Sequence, residues 1–326
     1  MISLTMNESQ VCVRGAAFRR RAAAQGRFPR FHASPGMYNT KKGCFRMNAE
    51  KRRRLERQAM EIRITGLKMV EKAHSGHIGG AFSMSELMSV LYFDKMNIRP
   101  EEPKWEDRDR FVLSKGHCTV ALYPTLALRG FFDVSVLDTF RKIGGHLSGH
   151  AEMKYVPGVD MSTGSLGQGF STAVGMAAGG KLAGKDFTVY AIMGDGEIQE
   201  GQIWEACMYA GAKGLDNLIG IVDSNKVQLD GTVKEILDTG DLVKKFESFG
   251  FFVQSIDGHD VEAISAAIDR AKAEKGRPSM IIANTVKGKC ISFMEGKCEW
   301  HGKTPNEEQF KAAFDELYAR AAELEG

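Results

Sequence analysis

Asp195 and Asn225 are the two residues whose type and placement most clearly promise chemistry. Asp195 sits in Gly194-Asp195-Gly196, directly after the apolar run Phe187-Thr188-Val189-Tyr190-Ala191-Ile192-Met193. Asn225 closes Asp223-Ser224-Asn225, directly after a second apolar run, Leu218-Ile219-Gly220-Ile221-Val222. A carboxylate oxygen and an amide oxygen are hard donors of low total charge. They suit Mg²⁺, or Ca²⁺ or Mn²⁺ in its place, sharing its shell with a phosphorylated ligand and water. Gly194 and Gly196 let the backbone approach a diphosphate closely. Gly-Asp-Gly alone is common in turns, and two strand ends capped by Asp and Asn would look the same locally. The spacing of roughly thirty residues is what adds weight, because it is that of a βαβ unit.

The histidines form a second group. His77, His117, His150 and His301 each stand beside glycine at the end of an expected element. An imidazole bonds hydroxyls and moves protons near neutral pH, which suits a polyol substrate. None shows the i, i+4 pairing of a zinc helix. His32, His74, His146 and His259 are read as ordinary surface or core residues.

These residues need elements to hold them. The two apolar runs are short, β-branched and cut off by turn residues, so they read as buried parallel strands. The helix between them is expected over 200–213. Further strands are expected over 110–113, 251–256 and 279–286. Helices are expected over 48–72, from Ser83-Met84-Ser85-Glu86 (read as a capping box) to about 93, and over 119–129. Others are expected over 134–143, from about 168 to 183, over 261–273, and over 306–324 after Thr304-Pro305-Asn306-Glu307. Alternating strands and helices without a linker imply one doubly wound α/β domain over 47–326, with a mainly parallel sheet and helices on both faces. Asp195 and Asn225 would then lie at the carboxyl ends of their strands, where such folds bind ligands.

Composition narrows the class. The chain has 326 residues and a formal net charge of +3. Residues 1–46 hold nine of the basic residues against one acid, Glu8, with no helical or strand period. This basic extension is expected to be disordered. It reads as an over-long gene start, a transit peptide or a nucleic-acid-binding arm, and Met47 just before a helix start favours the first. The body offers no nucleic-acid face. No segment has the apolar density of a membrane span. The six cysteines are scattered without Cys-x-x-Cys, as expected for reduced thiols in a cytoplasmic protein. Gly175-Met176-Ala177-Ala178-Gly179-Gly180-Lys181-Leu182 misses a nucleotide-binding loop, because Leu182 replaces the required hydroxyl.

Taken in order, Ser75-Gly76-His77, Ser114-Lys115-Gly116-His117, Gly149-His150-Ala151-Glu152, Thr163-Gly164-Ser165-Leu166-Gly167-Gln168-Gly169, Gly194-Asp195-Gly196 and Trp300-His301-Gly302 resemble the motifs of transketolases. The resemblance covers 47–326 and matches the N-terminal, diphosphate-side domain of that thiamine-diphosphate (ThDP) family. It implies the N-terminal subunit of a split transketolase, moving a two-carbon ketol unit from a ketose phosphate to an aldose phosphate. Carried over, Asp195, Asn225 and the carbonyl of Val227 would hold Mg²⁺ on the diphosphate. Gly164, Gly194 and Gly196 would lie against the cofactor, and Leu166 beside its rings. His117 and His301 would reach the diphosphate or the reacting carbons. His77 and His150 would line the sugar channel, and Glu200 would couple two sites at a subunit interface. Ile78, Lys115 and Ser165 depart from the commoner family residues, which leaves substrate choice open. The glutamate that activates the cofactor comes from the next domain in this family. The resemblance therefore implies a partner, the C-terminal transketolase subunit, in an α₂β₂ assembly. The alternatives are the α subunit of a 2-oxo acid dehydrogenase or another ThDP enzyme, and a non-catalytic regulatory paralogue.

Overall fold

The computed structural model describes residues 47–325; the basic extension over 1–46 lies outside the described residues. The first helix, α1 (Ala49–Ala73), starts where Asn48 accepts the backbone N–H of Lys51 at 2.7 Å. It ends where His74 turns into the left-handed region. Two short helices follow, α2 (Gly79–Phe82) and α3 (Ser85–Val90). The Ser83–Glu86 capping box expected at α3 does not form. Ser83 bonds Asp223 and the Gly80 carbonyl, and Glu86 bonds Arg63, so long-range partners have taken both halves of the motif.

The remaining elements are β1 (Arg110–Leu113), α4 (Thr119–Arg129), α5 (Gln168–Leu182), β2 (Val189–Gly194), α6 (Gly201–Ala212), β3 (Leu218–Ser224), α7 (Val233–Leu237), α8 (Leu242–Ser248), β4 (Phe252–Asp257), α9 (Val261–Ala273), β5 (Ser279–Asn284) and α10 (Glu307–Glu323). The helix expected over 134–143 is only a 3₁₀ turn, Val134–Thr139.

The sheet has five strands in the order β1-β2-β3-β5-β4, all parallel. Its side chains sort by parity, as the pleat requires. Tyr190, Ile192, Ile219, Ile221 and Ile281 join the core built with α1, α3, α4 and α9. Val189, Ala191, Met193, Leu218 and Met280 join the opposite core, built with α5, α6 and α8. The crossovers through α6 and α8 run outward along the sheet, and the one through α9 runs back toward its centre. Right-handed crossovers of opposite direction must lie on opposite faces, which is where these helices are.

Parallel pairing also aligns the strand ends. Gly194 pairs with Asp223 and Ser224 with Asn284, while Leu113 pairs with Ile192. The residues following β1, β2, β3 and β5 therefore emerge on one edge of the sheet.

Candidate functional site

A cavity of about 410 Å³ opens at that edge. Each candidate residue named from the sequence lines it. His77 comes from the loop between α1 and α2, His117 from the turn after β1, and His150 from the long connection to α5. His301 ends the 3₁₀ turn Cys298–His301. Gly164 and Leu166 precede α5. Gly194, Asp195, Gly196 and Glu200 follow β2, and Asn225 and Val227 follow β3. A larger depression of 740 Å³ between α1 and α10 contains none of them.

Backbone bonds knit the connecting loops together. Ala151 N–H donates to Gly116 O at 3.2 Å, and Thr163 N–H to Ala151 O at 3.1 Å. Gly116 must lack a side chain here, because a Cβ would stand 2.5 Å from the Thr163 backbone.

The four imidazoles form one cluster. Ring centroids are 4.9 Å apart for His117 and His301, 5.3 Å for His77 and His117, 5.6 Å for His77 and His301, and 6.1 Å for His77 and His150. Burial, then the Arg141 charge, pushes His77 down to about 4. Burial, then Lys287, pushes His301 down to about 3. Burial also lowers His117 and His150. All four shifts favour the neutral ring, which can both donate and accept a hydrogen bond to a hydroxyl.

The acidic side of the cavity is organised differently. Asp195 accepts the N–H of Gly196 at 3.0 Å and that of Lys226 at 2.5 Å. Burial, and then the neighbouring Asp223, raises its carboxyl to about 6. Asp195 has no salt-bridge partner among the described residues, so a bound cation would relieve it. Asn225 Oδ1 accepts Val227 N–H at 3.0 Å. The Val227 carbonyl accepts from the Lys287 ammonium at 3.1 Å and keeps a second lone pair. Gln228 Oε1, also at the cavity, is buried without a partner. These oxygens carry a single formal charge between them, which fits a hard divalent ion completed by phosphate oxygens and water. Among the described residues, no group of three or more His, Cys, Asp or Glu is arranged to hold a metal. The donor set here instead mixes one carboxylate with an amide and a carbonyl.

Several interactions of the site escaped the sequence reading. Lys115 and Asp223 form an ion pair, with side chains 2% and 0% exposed. Burial opposes the Lys115 charge, but Asp223 outweighs it and raises the ammonium pKa. Burial likewise opposes the Asp223 charge, and Lys115 with Ser83 and Thr285 holds it down. Lys287, pushed down to about 8 chiefly by burial, bonds His301 Nδ1 at 3.0 Å. The sequence reading passed over it, although it directly follows the strand expected over 279–286; the strand itself ends three residues earlier, at Asn284.

Glu197 joins the two glycine loops. It accepts Gly167 N–H at 2.9 Å, Gly194 N–H at 3.0 Å and the Ser114 hydroxyl. Burial raises its pKa against these bonds. Glu197→Ala leaves three donors unpaired, two buried and that of Gly194 part-buried. It should cost about 3 kcal/mol or more, each orphaned group being worth about 1–3 kcal/mol. Chemical denaturation checks this. Glu200, by contrast, is exposed and makes no hydrogen bond through its side chain among the described residues.

A family-wide model described as "Transketolase, thiamine diphosphate binding domain" matches residues 55–320. The chain belongs to the transketolase family and carries its N-terminal, ThDP-binding domain. It is 48% identical over 268 residues to the 6-deoxy-6-sulfo-D-fructose transketolase subunit SqwG of Clostridium sp. (strain MSTE9), covering 82% of this chain and 98% of that protein. It is 41% identical over 271 residues to an apulose-4-phosphate transketolase subunit from Phocaeicola vulgatus, covering 83% and 96%. Among solved structures, transketolase from Campylobacter jejuni subsp. jejuni superposes with a TM-score of 0.77 at 36% identity, over 85% of this chain and 46% of that one. The chain thus matches nearly the whole of two separate subunits and less than half of that transketolase. No helix of the described residues is long and apolar enough to cross a membrane.

Proposed function

We propose that this chain is the diphosphate-side subunit of a two-chain transketolase. It would move a two-carbon ketol unit between sugars only with a C-terminal partner. The observation that carries the reading is the convergence of four neutral imidazoles and the Asp195, Asn225 and Val227 oxygens on one cavity. When bound, ThDP supplies the carbon nucleophile and electron sink for breaking and remaking a carbon–carbon bond.

The chain's own residues bind, orient and move protons. Asp195, Asn225 and the Val227 carbonyl would hold Mg²⁺ on the diphosphate. Gly164, where a Cβ would come within 3.2 Å of His150, and Gly196 keep the wall low enough for the cofactor. Leu166 offers an apolar contact to its rings. His117 and His301 face the reacting end, and His77 and His150 bond sugar hydroxyls. The exposed Glu200 suits a contact across a subunit interface.

The Clostridium and Phocaeicola relatives are named for a sulfonated and a phosphorylated ketose. A ketose with a terminal anion is accordingly the donor class we assign. The α subunit of a 2-oxo acid dehydrogenase fits less well, because an oxo acid gives a cluster of four imidazoles no polyol to hold.

Thermal denaturation of the purified chain tests the cofactor reading. ThDP with Mg²⁺ should raise Tm, and chelation should remove most of the gain. Stabilisation by ATP in place of ThDP would overturn it.

A further inference from the structure

Arg141 belongs to none of the motifs above, yet two structural costs are spent on placing it. Its backbone lies in the left-handed region at φ 54°, a conformation that disfavours any side chain with a Cβ. Its guanidinium also lies over Gly149, where a Cβ would come within 2.5 Å of Nε and Nη2. Arg141 N–H donates to Leu147 O at 2.8 Å and closes the loop that holds this posture. Strain retained at an exposed residue points to a use for its side chain.

The side chain reaches the loop that carries His77. Nη1 donates to Ser75 Oγ at 2.7 Å, and Nη2 lies 3.2 Å from His77 Nδ1. A guanidinium has donors only and stays protonated. Nδ1 must therefore be the acceptor, which leaves the ring proton on Nε2. His77 Nε2 lies at the cavity wall, 3.6 Å from the position a Cβ on Gly302 would take, and has no hydrogen-bond partner among the described residues.

We propose that Arg141 is a positioning residue that fixes His77 in its Nε2–H form, so that this ring donates a hydrogen bond into the cavity. The polarity matters. An Nε2–H edge can bond a sugar carbonyl oxygen or a developing alkoxide. The opposite tautomer would present a lone pair to the same atom and repel it. The assignment of a sugar oxygen as recipient rests on the proposed function, whereas the tautomer stands independently of it. The charged or titratable groups facing His77 are Arg141, Lys287, His150, His117 and His301. None of the others bonds His77, so among the described residues Arg141 alone dictates which nitrogen bears the proton.

Long-range ¹H–¹⁵N correlation of the imidazoles in the ¹⁵N-labelled full chain, without cofactor, tests this, with His77→Gln giving the assignment. The wild type should show His77 as a single form, with a bare Nδ1 and a protonated Nε2. Arg141→Met should turn this into a mixture of tautomers and move the His77 pKa up from about 4 toward its ordinary 6.5. Arg141→Lys, which keeps a charged donor, should restore much of the single-form pattern. A protonated Nδ1 in the wild type, or an unchanged pattern in Arg141→Met, would overturn the proposal. The measurement uses no substrate, so its failure and the failure of the transketolase reading are separate results. In the assembled enzyme, Arg141→Met should then lower kcat more than it raises KM. A rise in KM alone would show that Arg141 instead grips the substrate directly.

Discussion

Asp195→Asn should yield a chain whose stability without cofactor no longer falls between about pH 4 and about pH 6, and which the cofactor no longer stabilises. Asp195 is 3% exposed and faces Asp223 with no salt-bridge partner of its own among the described residues. Its folded pKa of about 6 exceeds the ordinary value of 3.8. The native state therefore binds the extra proton, and the wild type loses stability as pH rises from about 4 to about 6. Above that window the deficit is at most about 3 kcal/mol, at 1.36 kcal/mol per pKa unit. Asparagine removes the charge and its pH dependence, but its amide nitrogen must meet one of the two N–H groups, of Gly196 and Lys226, that the carboxylate oxygens accept. It also removes the anionic ligand on which cation binding depends. Affinity for ThDP with Mg²⁺ should fall by at least about 100-fold, the upper range for losing even an outer partner of a metal ligand. Melting curves from pH 4 to 8, with and without ThDP and Mg²⁺, check both halves. A variant whose stability still falls between about pH 4 and about pH 6, or one that keeps the full ligand shift, would refute the role given to Asp195.

Lys115→Met should be among the most damaging single changes in the described residues of the site. Lys115 donates to Asp223 and to Gly80 O at 2.7 Å, and methionine fills similar space without the charge. Asp223 would be left buried with only the neutral donors Ser83, Thr285 and Asn225. Breaking one half of a buried pair costs about 3–5 kcal/mol. Adding Asp223→Asn removes the orphaned charge, keeps an oxygen for the Ser83 hydroxyl and Asn225 Nδ2, and lets its amide nitrogen donate to the Thr285 hydroxyl oxygen. The double variant should therefore recover most of the loss, leaving it within about 2 kcal/mol of wild type. A double variant no more stable than Lys115→Met would show that the pair is not coupled in this way. Urea denaturation of the four proteins completes the cycle.

What could be read from the sequence, and what could not, follows the range of the interactions. β2 and β3 were legible because a parallel strand buried on both faces must be an apolar run, and Gly-Asp-Gly and Asp-Ser-Asn stop such runs. The imidazole cluster was legible because each histidine sits beside glycine at an element end, and parallel strands gather such ends on one edge. The Lys115–Asp223 pair joins residues 108 apart, with no periodic or spacing signal between them. The capping box at Ser83 was misread for the same reason. Its local pattern was correct, but Asp223 and Arg63 compete for the same two side chains. Arg141 was missed because its importance lies in a backbone angle and a bare Gly149, and neither shows in residue type alone.

The central claim is that this chain carries one half of a transketolase site. The direct test is two-carbon transfer from a panel of ketoses ending in phosphate or sulfonate to an aldose phosphate, with ThDP and Mg²⁺ present. It is run once with the chain purified alone, and once with the chain recovered from its native cells with whatever partner chain comes with it. The account predicts no transfer by the chain alone, and transfer when a second chain of similar size is present. Transfer by the pure single chain, or a recovered complex that accepts none of the ketoses, would contradict it.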